Sequence, residues 1–178
     1  MPDVSYDALT RDAVERGLPE SGLPGVIAVF SPGLHLDKTT PNGGFVLRSP
    51  IAVDLKACDF FHAMVLNTAL SIVMCLERLK KLDGIEKDVL IGCGGGFETP
   101  VTGQAVADLM GMPVRIYENY REAAVFGGFS LCCRAAGTAM PELKVLRQWE
   151  PHSCEALEDY YRQWKQARAC FQELRFEP

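Results

Sequence analysis

Four glycines stand within five positions near the middle of the chain, and this stretch is the best suited to bind a ligand. They are Gly92, Gly94, Gly95 and Gly96. Because glycine has no Cβ, a ligand can approach the backbone of such a loop closely. The loop leads into a predicted helix, whose free N–H groups favour an anion or a polar ligand. The residues therefore predict a ligand-binding loop, although a turn that serves only packing explains the glycines equally well.

Strand and helix signals surround this glycine loop. A short apolar run before it predicts a buried strand. Thr99 is a good helix N-cap, and Pro100 suits the first helical position, where its missing N–H costs nothing. A crossover of this kind predicts parallel strands. The predicted elements are a strand at Val89–Ile91, a helix from Pro100 to about Met110 with Gly111 as its C-cap, and a strand at Pro113–Tyr117.

The glycine spacing does not match the common nucleotide-binding fingerprints. In the dinucleotide pattern G-x-G-x-x-G, Phe97 stands where the third glycine belongs. The phosphate-loop pattern also fails, because no Gly-Lys-Ser/Thr follows. A Rossmann-like nucleotide binder stays open as an alternative, since Glu118 could serve as its downstream acidic residue. The spacing of the glycines argues against that alternative.

Composition limits the class of protein. The chain has 178 residues, which predicts a single domain spanning 1–178, and its net charge of −5 gives no basic footprint for nucleic acid. Seven cysteines form no C-x-x-C pair, and with three histidines we predict no metal site. We expect reduced thiols and a cytoplasmic protein. The uncharged run Phe60–Leu76 is too short and too polar for us to expect a membrane span.

The remaining sequence predicts several helices and little strand. His62, in the longest helix, is interpreted as a satisfied buried histidine, and Glu158–Arg162 as an i,i+4 ion pair. Gly127 and Gly128 in mid-helix each cost about 1 kcal/mol, which suggests the close approach of a neighbouring element or a ligand. The predicted elements are a Ser5-capped helix to Arg16, a strand at Val26–Phe30, a loop at Ser31–Gly44, helices at Asp59–Leu82 and Arg121–Ala136, an irregular stretch at Gly137–His152, and an amphipathic helix at Cys154–Leu174.

These features together resemble the C-terminal signature of the FGGY carbohydrate kinases. The resemblance covers nearly the whole chain and is most specific between Leu90 and Gly128. Its central part is GGGFETPVTGQAVADLMGMPV, followed by a Glu-Ala helix that starts at Glu122. The upstream stretches that fit are the Gly25–Phe30 strand, the Asn42–Phe45 turn and the His62–Leu79 helix.

The resemblance implies an α/β fold: an incomplete second domain of the actin-like (ribonuclease H-like) ATPases, with a C-terminal amphipathic helix. In that family the glycine loop contacts the adenosine half of ATP. Carried over by position, this role falls on Gly94, Gly95, Gly96 and Thr99. The implied cofactors are ATP and Mg²⁺, the latter bound mainly through parts absent from this chain.

The family's catalytic Asp, phosphate loop and most sugar contacts lie in its first domain, so we assign no catalytic residue here. Phosphoryl transfer needs a base and phosphate-positioning groups, so the chain should be inactive alone. The implied partners are ATP or ADP and a sugar held through the missing domain. A ketose or pentulose such as xylulose or ribulose fits, as does a linear sugar such as autoinducer-2.

Departures from the family pattern keep a second hypothesis open: a non-catalytic binding or interaction module derived from a sugar kinase. The family's Arg-Ala reads His62–Ala63 here, and its Gly-Glu-Arg-x-Pro loop reads Leu36–Pro41. A chain without the first strands should also leave a sheet edge and an apolar face uncovered. Such surfaces favour self-association.

Overall fold

The computed structural model describes residues 5–18, 25–31, 42–47, 55–82 and 88–174. Within these ranges the chain forms five α-helices and five β-strands. In chain order they are α1 (Tyr6–Arg16), β1 (Val26–Val29), β2 (Gly44–Leu47), α2 (Ala57–Lys80), β3 (Leu90–Ile91), α3 (Pro100–Met110), β4 (Val114–Tyr117), α4 (Ala123–Ala136), β5 (Val145–Trp149) and α5 (Glu155–Glu173). The predictions for Leu36–Pro41 and for most of the Ser31–Gly44 loop fall outside the described residues.

The strand–loop–helix–strand unit is present as predicted, but β3 is not the buried strand that was expected, because the Ile91 side chain is 66% exposed. β3 pairs in parallel with β4, and the Leu90 N–H donates to the Pro113 carbonyl oxygen over 2.8 Å. Pro100 occupies the first turn of α3, and Gly111 ends the helix with φ +65°. One detail of the prediction is wrong. Thr99 occupies the N-cap position, but its hydroxyl lies 3.0 Å from the hydroxyl of Thr102 and caps no backbone N–H.

Two strands were not predicted. β5 pairs antiparallel with β4 inside the stretch expected to be irregular, and β2 pairs antiparallel with β1 where a turn was expected to extend to Phe45. In β5 only Trp149 is buried, so the sequence lacks the alternation of apolar and polar residues that marks a half-buried strand. Pairing with a partner distant in sequence creates both strands, and a local pattern cannot show it.

Helix α2 is the longest element and runs through the core. It begins two residues before the predicted start because Asp59, at its third position, accepts a 2.6 Å hydrogen bond from the Lys56 N–H. It is long and apolar enough to cross a membrane, but it contacts α1, α3 and β1, as a core helix does. Its fully buried apolar side chains are Ala63, Leu66, Ala69, Leu70 and Val73.

Two buried aromatic side chains of helix α5 form hydrogen bonds with β1, and one of them also contacts α2. The Tyr160 hydroxyl donates to the Val26 carbonyl oxygen over 3.1 Å, and Trp164 Nε1 donates to the Ala28 carbonyl oxygen over 3.0 Å. The same Nε1 lies 3.1 Å from Oδ1 of Asn67 on α2. The predicted aromatic face is confirmed, whereas Arg162 pairs with Asp159 rather than with Glu158.

Helix α3 and strand β5 meet at a glycine. A Cβ built on Gly103 would lie 2.5 Å from the ring of Trp149, which is 8% exposed. Real Cβ atoms do not come this close to a ring, so either the indole or the helix would have to move. The indole therefore requires glycine at this position of α3.

We predict that Gly103→Ala destabilises the protein. Alanine would stabilise the helix by about 0.5–1 kcal/mol, but forcing a methyl into a packed core costs about 1–3 kcal/mol. Chemical denaturation should therefore show a lower free energy of unfolding. Gly128→Ala is the matched control, because its Cβ would meet nothing within 4 Å. An equal or higher stability for Gly103→Ala would contradict the steric argument.

Candidate functional site

The glycine loop after β3 separates into residues that serve the fold and residues that the fold does not require. Gly94 has φ +86°, a conformation that L side chains rarely adopt. A Cβ on Gly92 would lie 2.9 Å from the Phe97 ring. By contrast, a Cβ on Gly95 or Gly96 would find ordinary distances of 3.9 and 3.7 Å to its nearest neighbours, and neither residue has a positive φ. Nothing among the described residues requires glycine at these two positions.

The buried side chain of Phe97 holds the glycine loop against the core. Its side chain is 7% exposed, it lies over Gly92, and its ring centroid is 6.5 Å from that of Trp149. A buried aromatic ring thus occupies the position at which the dinucleotide fingerprint has its third glycine. The loop is also bonded to the short turn that follows β4, because the Gly94 N–H donates to the Tyr120 carbonyl oxygen over 2.7 Å.

A cavity of about 210 Å³ lies beside the two unconstrained glycines. The loop side of its wall comes from Gly95, Gly96 and Thr99, and the opposite side comes from helices α1 and α2. Tyr6 of α1 and Phe61 of α2 pack edge to face there, with ring centroids 5.7 Å apart. The other lining residues are Met64, Val65, Thr68 and Thr102.

Three of the four residues predicted to contact a ligand therefore line one cavity. Gly94 is absent from its lining, and the left-handed backbone at Gly94 sets the direction of the loop instead. Thr99 is 9% exposed, and its hydroxyl is hydrogen-bonded to that of Thr102. Its hydroxyl is therefore less accessible to a ligand than the sequence predicted. The aromatic residues Tyr6 and Phe61 were missed, because no local signal in the sequence relates α1 to the glycine loop.

Polar residues on the outer face of α3 hold the segment between β5 and α5. Gln104 Nε2 donates to the Glu150 carbonyl oxygen over 2.7 Å, and the His152 backbone N–H donates to Asp108 Oδ1 over 2.8 Å. Gln104 and Asp108 also contact each other over 2.7 Å. These two side chains are thus engaged in positioning the chain after Trp149.

No three His, Cys, Asp or Glu side chains come together as a metal site within the residues that the structure describes. All seven cysteines lie in these ranges, and all are free thiols. At the rim of the loop, Glu98 and Arg121 form an exposed ion pair of 3.0 Å. The described part of the chain therefore has a cavity beside the glycine loop and no cluster of metal ligands.

Comparison with known families decides the class of protein. The sequence model of the "FGGY family of carbohydrate kinases, C-terminal domain" matches residues 32–136, more than half of the chain. The chain belongs to the FGGY family of carbohydrate kinases. The matched range contains the glycine loop, α3 and α4, which are the elements that carried the resemblance in sequence.

Curated relatives are sugar kinases that are several times longer. The "Putative sugar kinase YoaC" of Bacillus subtilis (strain 168) is 30% identical over 129 residues, which are 72% of this chain and 26% of YoaC. The Autoinducer-2 kinase of Enterobacter sp. (strain 638) is 27% identical over 121 residues, covering 66% of this chain and 22% of that kinase. The chain thus spans about a quarter of the length of these relatives.

Solved structures share the fold at low sequence identity. A ligand-bound xylulose kinase from Lactobacillus acidophilus superposes with a TM-score of 0.70 at 12% identity, over 97% of this chain and 36% of the kinase. A gluconate kinase from the same organism gives a TM-score of 0.66 at 13% identity, over 97% and 36%. The predicted actin-like α/β fold is confirmed, and the similarity extends through α1 and α5.

The packing of α1 on α2 fixes the aromatic side of the cavity and includes a buried histidine. His62, next to Phe61 in sequence, is 7% exposed, and its Nε2 has no hydrogen-bond partner among the described residues. Its burial is as predicted, whereas no described residue supplies the hydrogen bond expected at Nε2. Burial lowers the pKa of His62, and the nearby Arg16 guanidinium lowers it further, against the opposing effects of Asp12 and Asp59.

We predict that stability falls as the pH drops below about 6.5, the pKa of an unperturbed histidine. Below that pH the unfolded chain binds a proton that folded His62 resists, so unfolding is favoured by up to about 1.4 kcal/mol per pH unit. The pKa of Asp59 is lowered in the folded protein, so its own contribution is lost only below about 3.8. Denaturation from pH 7 to 5 measures the histidine effect.

His62→Phe should remove most of this pH dependence, because the ring then carries no titrating group. The matched control is His152→Gln, since the imidazole of His152 is 70% exposed. If His62→Phe retained the decline between pH 7 and 5 in full, His62 would not be its source.

Proposed function

We propose that this chain is the nucleotide-binding part of an ATP-dependent FGGY sugar kinase and that Gly95 and Gly96 receive the adenosine half of ATP. The proposal depends on one observation: these two glycines border a cavity, and no residue that the structure describes gives either of them a reason to be glycine. A close-lying ligand supplies that reason, since a Cβ at either position would intrude on a flat ring laid against the backbone.

The cavity suits one part of a nucleotide. Pockets for whole drug-sized ligands occupy roughly 300–1,000 Å³, so 210 Å³ fits a base better than a complete nucleotide. Tyr6 and Phe61 offer ring edges and faces, and the side chains of Met64 and Val65 complete an apolar wall. The triphosphate would then extend beyond the cavity, toward groups that other parts of a kinase supply.

Catalysis is proposed to require more than this chain. Transfer of a phosphoryl group needs a base that orients the acceptor hydroxyl, and cationic groups that neutralise the phosphates. The described residues include no metal-ligand cluster, so Mg²⁺ would be held mainly by other parts of a kinase and by the nucleotide. We therefore expect no sugar phosphorylation by the 178-residue chain alone.

For the acceptor we propose a ketose or pentulose, or a linear sugar of the autoinducer-2 type. The curated relatives include autoinducer-2 kinases, and the solved structures of this fold include kinases of xylulose and gluconate. We place the acceptor outside this chain because the cavity beside the glycine loop is mostly apolar. The second candidate function, a non-catalytic module, is favoured by the buried His62 at the position of the family's arginine.

We predict that the chain binds ATP and ADP weakly in calorimetry and that Gly95→Val abolishes this binding. The chain leaves room for the new side chain, because the nearest atom to its Cβ would be Glu98 Oε1 at 3.9 Å. The valine side chain would, however, fill the cavity into which the adenosine is proposed to bind. Titrations with and without Mg²⁺ should differ little, because the proposed contacts are to adenosine. Gly128→Val is the matched control, because Gly128 is not among the residues that line the cavity and a Cβ there would meet nothing within 4 Å.

Binding that survives Gly95→Val would place the nucleotide elsewhere. Absence of binding by the wild-type chain would contradict a preformed adenosine site. A reconstitution assay separates the two candidate functions: sugar phosphorylation recovered on adding a cognate first kinase domain supports the kinase, and its failure supports the non-catalytic module.

A further inference from the structure

Helix α1 contributes one side chain to the wall of the cavity beside the glycine loop. That side chain is Tyr6, whose ring packs edge to face on Phe61 with the ring centroids 5.7 Å apart. Tyr6 is nevertheless 65% exposed. Because so little of its surface is covered, the position of the Tyr6 ring depends on where α1 lies.

Apolar packing contributes little to holding α1 in place. Of its eleven residues only Ala13 is buried, and the Val14 side chain is 40% exposed. A helix of this length is only marginally stable in water by itself. Contacts with the rest of the chain must therefore maintain both its helical form and its position.

Two buried polar atoms oppose the packing of α1 on its neighbours. Thr10 Oγ1 of α1 and His62 Nε2 of α2 have no hydrogen-bond partner among the described residues. The imidazole of His62 lies near α1, since the charges of Arg16 and Asp12 both act on it. A polar group that loses its hydrogen bonds to water and gains none in the protein destabilises the packed arrangement.

Arg16, the last residue of α1, supplies the contacts that offset this cost. Its Nε lies 2.6 Å from Asp12 Oδ2 on the same helix. Its Nη1 pairs with Asp59 Oδ1 of α2, and its Nη2 donates to Cys58 Sγ over 2.9 Å. All three nitrogens of the guanidinium are thus engaged, which its planar, forked shape permits.

Asp59 is already fixed in place on the other side of this ion pair. Its Oδ2 accepts the Lys56 N–H at the start of α2, while its Oδ1 faces Arg16. The Asp59 side chain is 22% exposed, so water competes with the pair less than it does on an open surface. Asp59 and Phe61 lie two positions apart, so both ends of α1 are attached to the first two turns of α2.

We propose that Arg16 and Asp59 are positioning residues of the nucleotide site: their ion pair holds α1 against α2 and thereby keeps Tyr6 in place as the outer wall of the cavity. This inference rests on the proposed function, in which that cavity receives adenosine. Neither residue lines the cavity, so both act through the aromatic side chain at the other end of α1.

Calorimetry with ATP on the full 178-residue chain tests the proposal. Arg16→Ala and Asp59→Asn should each weaken ATP binding at least fivefold, and the double variant should bind no more weakly than the weaker single variant, because both substitutions break the same pair. Asparagine removes the charge and keeps an oxygen that can accept the Lys56 N–H. Arg11→Ala is the matched control, because it removes an exposed arginine from the same helix and should leave the affinity unchanged.

Three further measurements distinguish positioning from a general loss of stability. In Arg16→Ala, amide exchange in α1 should become at least tenfold faster, while unfolding followed by the buried Trp149 and Trp164 keeps its denaturant midpoint. Arg16→Lys should recover part of the affinity, because an ammonium group keeps the charge without the fork. In a Tyr6→Ala background, Arg16→Ala should cause no further loss.

Three results would overturn the inference: wild-type affinity in Arg16→Ala, an equal loss in Arg11→Ala, or a full further loss when Arg16→Ala is added to Tyr6→Ala. Absence of ATP binding by the wild-type chain would instead refute the proposed function. Exchange in α1 would then decide the remaining question. Unchanged exchange in Arg16→Ala would refute the role of the ion pair as well, and faster exchange would support it as the attachment of the cavity wall.

Discussion

The contact between the Trp149 indole and the bare backbone of α3 at Gly103 is the constraint on which the site depends. It allows β5 to lie against α3 closely enough for the ring to reach Phe97, and Phe97 in turn lies over Gly92. The glycine loop, α3 and β5 are thereby fixed relative to one another without any charged group. The glycine loop takes its position from this apolar stack, and the cavity beside it takes its shape from the loop.

The glycines of the loop divide into two classes that only the structure separates. Gly92 and Gly94 meet requirements of the fold, one through a ring that leaves no space and the other through a positive φ. Gly95 and Gly96 meet none, and they border the cavity. A glycine-rich sequence thus mixes positions at which the fold requires glycine with positions at which it does not, and the room around each Cβ distinguishes the two.

Features set by local chemistry could be predicted from the sequence. Ser5 caps α1, Pro100 opens α3 and Gly111 closes it, because each depends on its own backbone and a few neighbours. Long-range pairing could not be predicted, which is why β2 and β5 were missed. For the same reason the sequence identified the loop side of the cavity but missed Tyr6, which meets Phe61 only because α1 packs on α2.

The requirement for glycine beneath the Trp149 ring has an evolutionary consequence. Positions 103 and 149 belong to different elements, yet they share one volume, so neither can change freely without the other. Relatives with a larger residue at the position equivalent to Gly103 should carry a smaller side chain at that of Trp149. The residues at these two positions, one on α3 and the other on β5, should therefore vary as a pair across the family, because they share a single steric contact.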